Sequence, residues 1–234
     1  MASADIKLAG TAPTSAQRDE ATMTTALRWH PNAKILSNGD RTFDPAALRW
    51  TDSPPPAEAS EAVSPVEALQ RFAPAGRLRR VPIGIIGPRE ATAAQCDLAE
   101  ALGEALARHG LQMLCGGKNG VMEAACRGHA AGGGLPVGLL PDEEWDAANP
   151  YVAIPIATGI GPARNAIIAR ACLALVAVGG GVGTLSEMAL GLQFRRLVLA
   201  LADAPQVEAV PRLPSVDAAL ARIAARVLAL DDHM

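Results

Sequence analysis

Aromatic residues are scarce: three Trp, one Tyr and three Phe make up 3% of the 234 residues. Half of the chain is hydrophobic nonetheless, so a core of ordinary size must be filled by aliphatic side chains and alanine. A basic excess is also missing. The formal net charge of −3 gives no electrostatic footprint for nucleic acid, which would need a basic face. Lysine occurs only as Lys7, Lys34 and Lys118, with arginine supplying the other basic residues. That imbalance reads as coding bias, and it makes Lys118 conspicuous. No apolar run approaches the ~20 residues of a membrane span, so no membrane partner is expected. Residues 1–28 lack the apolar core of a signal peptide. Cys96, Cys115, Cys126 and Cys172 form no C-x-x-C pair and read as buried free thiols of a reducing compartment. The expected location is the cytoplasm.

The length allows one full domain plus an appendage. Residues 1–28 are rich in Ala, Thr and Ser without a sustained apolar period, and a mobile tail is expected there. Ser37-Asn38-Gly39-Asp40 between short apolar segments signals a hairpin, so residues 33–50 suggest a two-stranded flap. Thr51 to Ser60, with Pro54-Pro55-Pro56, reads as a linker. Ser64-Pro65-Val66-Glu67 opens a short helix with a capping box. Residues 1–75 are therefore read as an N-terminal extension, and residues 76–234 as the main domain.

From Val81 the texture changes. Apolar runs such as Val81–Gly87, Leu111–Cys115, Pro136–Leu140, Tyr151–Ile156, Leu173–Val178 and Leu197–Leu201 alternate with segments of helical period. The alternation predicts a Rossmann-like, doubly wound α/β fold, a parallel sheet with helices on both faces. In such sheets ligands bind beyond the carboxyl ends of the strands, where strand order reverses. Three glycine-bearing loops fall at such ends: Gly87-Pro88, Gly116–Gly120 and Gly179–Gly183.

The last of these is the focus of the chain. Leu173–Val178 is bounded by Gly179-Gly180-Gly181-Val182-Gly183, and Leu185, Met188, Ala189 and Leu192 then recur at helical spacing. Strand, glycine loop and helix in succession leave main-chain amides open at a helix N-terminus, a seat for phosphate. A blander reading competes, because Thr184-Leu185-Ser186-Glu187 is also a T-x-x-E capping box. Lys118 reads equally as a solvated loop lysine or as a phosphate contact. His129 and Cys126 are too few ligands for zinc. Trp29, Trp50 and Trp145 read as packing residues rather than as base-stacking ones.

Both common nucleotide signatures fail. The first strand ends in Gly87-Pro88-Arg89 rather than G-x-G-x-x-G, and Gly117-Lys118 is followed by Asn119 where a Walker loop needs Ser or Thr. Instead, Gly179-Gly180-Gly181-Val182-Gly183-Thr184-Leu185-Ser186-Glu187 resembles the P-G-G-x-G-T-x-x-E signature of the LOG (Lonely Guy) superfamily, long mislabelled as lysine decarboxylases. Gly116-Gly117-Lys118-Asn119-Gly120-Val121-Met122-Glu123 is similar to that family's G-G-x-x-G-x-M-x segment, and Arg164-Asn165-Ala166-Ile167-Ile168 falls at its R-K-x-x-M. The resemblance spans roughly Val81 to Leu201.

The resemblance implies a Rossmann-like site for a nucleoside monophosphate, usually in a homodimer, with no cofactor and no metal. Its characterised members cleave the N-glycosidic bond of adenine-type nucleoside 5′-monophosphates. Arg164 and Glu187 would then be the catalytic pair. Gly87, Gly116, Gly117, Lys118, Met122, Gly180, Gly181, Val182, Gly183 and Thr184 would bind phosphate and nucleotide. Gly179, Asn165 and Glu123 depart from the hydrolase pattern. Together with Asn149-Pro150 and Thr158-Gly159 they place the chain nearer a branch similar to molybdenum-cofactor carrier proteins, which hold a phosphorylated pterin without turning it over. That branch implies a carrier or sensor as the alternative to the hydrolase.

Overall fold

The computed structural model describes residues 26–231. The tail expected to be mobile lies, up to residue 25, outside the described residues. The N-terminal part forms an antiparallel sheet of five short strands: β1 (Arg28–His30), β2 (Ile35–Asn38), β3 (Arg41–Asp44), β4 (Arg49–Thr51) and β5 (Glu61–Ala62). Their spatial order is β4-β3-β2-β1-β5. The flap suggested for 33–50 is thus extended by strands on either side. Its hairpin closes where Asn38 pairs with Arg41, so the two-residue turn is Gly39-Asp40, with Gly39 at φ 60°. The proline-rich stretch does not lead away from this sheet. It carries the chain back to the free edge of β1, where Arg28 pairs with Ala62 and the Arg28 guanidinium donates to Ser60 Oγ at 2.8 Å.

Helix α1 (Pro65–Phe72) has the expected capping box, with Ser64 and Glu67 exchanging side-chain and backbone hydrogen bonds. It buries Leu69 and Phe72 beneath the small sheet. Phe72 meets Trp29 edge-on at 5.0 Å, a favoured arrangement of ring quadrupoles. Trp50 is packed as well, its Nε1–H donating to Leu228 O at 2.8 Å.

The main sheet has six parallel strands: β6 (Ile83–Ile86), β7 (Met113–Cys115), β8 (Val137–Leu140), β9 (Ile154–Ala157), β10 (Ala174–Val178) and β11 (Leu197–Leu201). They are connected by α2 (Ala93–Arg108), α3 (Val121–Ala131), α4 (Arg164–Ala171) and α5 (Val182–Gln193), and α6 (Val216–Val227) follows. Both faces are covered. Ala174, Val176 and Val178 of β10 pack into one cluster with Leu102, Val121 and Ile223, while Leu175 and Ala177 pack into another with Ile168 and Met188. This two-sided burial is why the strand reads as an unbroken apolar run. Strand β9 starts later than the run from Tyr151, because Asn149 Oδ1 accepts from the Tyr151 amide at 3.1 Å and turns the chain first.

The order β11-β10-β6-β7-β8-β9 reverses at β6. The chain steps outward through β7, β8 and β9, then returns to the other side of β6 as β10. The carboxyl ends of β6 and β10 therefore flank a switch point. No helix among the described residues is long and apolar enough to cross a membrane.

Candidate functional site

After β10 the backbone passes through Gly179 (φ 60°) and Gly180 (φ 131°), conformations that glycine adopts without steric cost. Helix α5 then begins at Val182, with Gly181 at its N-cap and no side chain capping it. Its first helical bond runs from the Leu185 amide to Gly181 O at 2.9 Å. The amides of Val182, Gly183 and Thr184 precede that bond and lack helical acceptors. The capping-box reading of Thr184 and Glu187 is therefore overturned: both residues lie inside the helix. Ser186 instead donates to Gly183 O at 2.7 Å. Thr184 and Glu187 share one face, and both are buried.

Arg164 opens α4 after a 3-10 turn at Gly161–Ala163. Its Nη1 donates to Glu187 Oε1 at 3.1 Å, with each side chain 9% exposed. A Cβ added at Gly116 would fall 2.3 Å from Arg164 Nη2, so glycine at the end of β7 lets the guanidinium lie against the main chain. Burial pushes the Glu187 carboxyl up to about 7, against the Arg164 cation, whose charge and hydrogen bond favour ionisation. Next to this pair, Asn165 Nδ2 donates to Ser186 Oγ at 3.1 Å and ties α4 to α5.

These groups line a cleft of about 390 Å³ at the switch point. Of the residues implied by the sequence, Gly87, Gly116, Met122, Arg164, Gly181, Gly183, Thr184 and Glu187 line it. Gly117, Lys118, Gly180 and Val182 do not. Lys118 is engaged elsewhere: its Nζ donates to Asp142 Oδ2 at 2.9 Å and to Ala147 O at 2.7 Å, fastening both ends of the 142–147 loop. Gly117 donates its amide to Cys115 Sγ at 3.3 Å. Gly180 lies under Thr184, whose Oγ1 would sit 2.3 Å from any added Cβ. The Val182 side chain is 85% exposed, leaving only its amide at the loop.

Gly181 and Gly183 differ from these glycines. Neither has positive φ, and a Cβ on either would meet nothing within 4 Å. No close approach of protein atoms and no backbone strain requires glycine at these two positions. Both border the cleft, where a side chain would occupy space otherwise open above the free amides.

The four cysteines are free. Cys115 and Cys126 lie in contact beside the Gly116–Gly120 loop, Sγ to Sγ 3.5 Å. Among the described residues, no group of three or more His, Cys, Asp or Glu is placed to hold a metal ion.

Residues 80–224 match the SLOG cluster4 family. The chain belongs to that family. An uncharacterized protein of Archaeoglobus fulgidus is 40% identical over 124 residues, 53% of this chain and 82% of that one. The molybdenum cofactor binding protein from Rippkaea orientalis is 34% identical with a TM-score of 0.59, over 62% of this chain and 96% of its own. The molybdenum cofactor carrier protein from Chlamydomonas reinhardtii is 34% identical with a TM-score of 0.58, over 64% of this chain and 99% of its own. Beside the residues that the sequence marks, the cleft of this SLOG chain takes in Arg89, Pro141 and Asn165. The sequence did not mark Arg89, although it follows Gly87-Pro88 directly, and that glycine turn at the end of the first strand is the signal that could have found it.

Proposed function

We propose that the cleft binds a phosphorylated small molecule of mononucleotide size, and that Arg164 and Glu187 cleave the N-glycosidic bond of a purine-type nucleoside 5′-monophosphate. The observation that carries this reading is the buried Arg164–Glu187 pair facing a cleft that also holds the open start of α5. The amides of Gly183 and Thr184, with the Thr184 hydroxyl, receive the 5′-phosphate. Cleavage builds positive charge on the ribose ring, which the Glu187 carboxylate stabilises. Near neutral pH this carboxyl exchanges readily between its two forms. It takes a proton from the attacking water, that proton ends on the departing base, and ribose 5-phosphate remains. Arg164 favours the ionised form of Glu187 against the effect of burial and offers its remaining donors to the sugar.

A second reading, a carrier or sensor of a phosphorylated pterin or nucleotide, is favoured by the 34% identity to the two molybdenum-cofactor proteins. It is also favoured by Asn165 at the position where the hydrolase pattern has lysine. Incubation of the purified protein with AMP, following free base, separates the two. Release that Glu187→Ala abolishes supports hydrolysis. Saturable binding with no release, retained in Glu187→Ala, supports the carrier.

Two copies associating is part of this proposal. Ile154 and Ile156 on the edge strand, Ile160 ahead of α4 and Ile167 within it are 43–47% exposed, a surface suited to a second copy. Sedimentation of the chain as a monomer at micromolar concentration would remove that part.

A further inference from the structure

Among the described residues, two cationic side chains line the cleft, Arg89 and Arg164. Glu187 is committed to Arg164. Arg89 is exposed, and its guanidinium makes no hydrogen bond or ion pair among the described residues. Its charge reaches Asp142, but that carboxylate is already held by Lys118.

The backbone that carries Arg89 is firmly set. The Val121 amide donates to Pro88 O at 3.1 Å. A Cβ on Gly120 would lie 2.4 Å from both Pro88 O and Arg89 O, so the start of α3 is pressed against this turn. A Cβ on Gly87 would meet Val178 O at 2.6 Å, which presses the turn against β10 as well. A fixed stem therefore presents a free guanidinium on the β6 side of the cleft, opposite the open amides on the β10 side. Two guanidinium groups against one carboxylate leave the cleft with a positive excess in a chain whose net charge is −3.

We propose that Arg89 is a second phosphate arm, closing on the anion held at the start of α5 and giving the site its preference for phosphomonoesters over neutral nucleosides. This rests on the phosphorylated-ligand reading above and holds for hydrolase and carrier alike. A guanidinium fork matches two phosphate oxygens at once, and such charge-assisted bonds are the strong ones. The exposed side chain folds over the ligand without moving the backbone.

Titration calorimetry with AMP, inorganic phosphate and adenosine tests it, on wild type, Arg89→Gln and Arg89→Lys. Arg89→Gln is expected to weaken AMP and phosphate about tenfold to a hundredfold, to leave adenosine unchanged, and to flatten the salt dependence of AMP binding. Arg89→Lys recovers part of the loss, and Tm stays at the wild-type value because the side chain is exposed. Wild-type affinity for AMP in Arg89→Gln overturns the proposal, as does an equal loss for adenosine. If wild type binds neither AMP nor phosphate, the phosphorylated-ligand reading fails along with it. If wild type binds AMP and Arg89→Gln binds it equally, Arg89 alone is excluded.

Discussion

Glu187 sits where burial and a neighbouring cation pull in opposite directions, and burial dominates. Its folded value of about 7 stands above the ordinary 4.5. Between those two values the folded protein keeps a proton that the unfolded chain has lost. The contribution of Glu187 to stability is therefore fully present below about pH 4.5 and is lost as pH rises towards 7, by about 3 kcal/mol in all. Glu187→Gln has no such proton to lose. Its stability relative to wild type is expected to rise by about that amount between pH 4.5 and 8 in paired urea titrations, and a constant difference would contradict the assignment. Lys118 teaches the opposite lesson. The sequence left it equally a solvated lysine or a phosphate contact, and its actual partner Asp142 lies 24 residues away. Nothing local to Gly117-Lys118-Asn119 reveals that encounter.

At the scale of elements, the strand, loop and helix around Gly179–Gly183 could be read directly, because each part has its own local pattern. The small N-terminal sheet could not be read in full. Its strands have two to four residues, too few for an alternating period to emerge, and β5 is recognisable only by its pairing with β1. The cleft glycines allow a comparison of two roles. Gly181→Ala meets no protein atom and should keep the wild-type Tm while weakening AMP in calorimetry. Gly116→Ala would drive its methyl into the Arg164 guanidinium. Arg164 should swing away and leave Glu187 buried without its cation, moving the midpoint of the pH–activity profile of AMP cleavage above about 7. Equal behaviour of the two variants in both measurements would refute this distinction.

In the whole molecule, the small sheet and the main sheet are not independent bodies. Trp29, Leu36, Phe43, Leu69 and Phe72 belong to the same buried cluster as Leu102 and Leu106 of α2 and Ile223 of α6. Phe72 is 1% exposed and touches Trp29 and Phe43. Phe72→Ala is expected to cost about 3–5 kcal/mol and to lower the far-UV and near-UV unfolding midpoints together, since one core melts as a unit. Separate transitions would show that the N-terminal sheet is an independent attachment.

Two-sided strands, the helix cap at Ser64 and the ordered glycine loops depend on residues within a few positions of one another, so the amino-acid sequence alone determined them. The ordered motifs at Gly116, Arg164 and Gly179 also singled out Arg164 and Glu187, which the fold brings together as one buried pair. The tertiary structure decided which strands became neighbours, and hence that the turn after β6 faces the start of α5. It also decided that Arg164 reaches Glu187 across 23 positions and that Lys118 turns away to Asp142. Such pairings follow from how both faces of the sheet pack at once, a sum over distant residues that no single stretch of chain encodes.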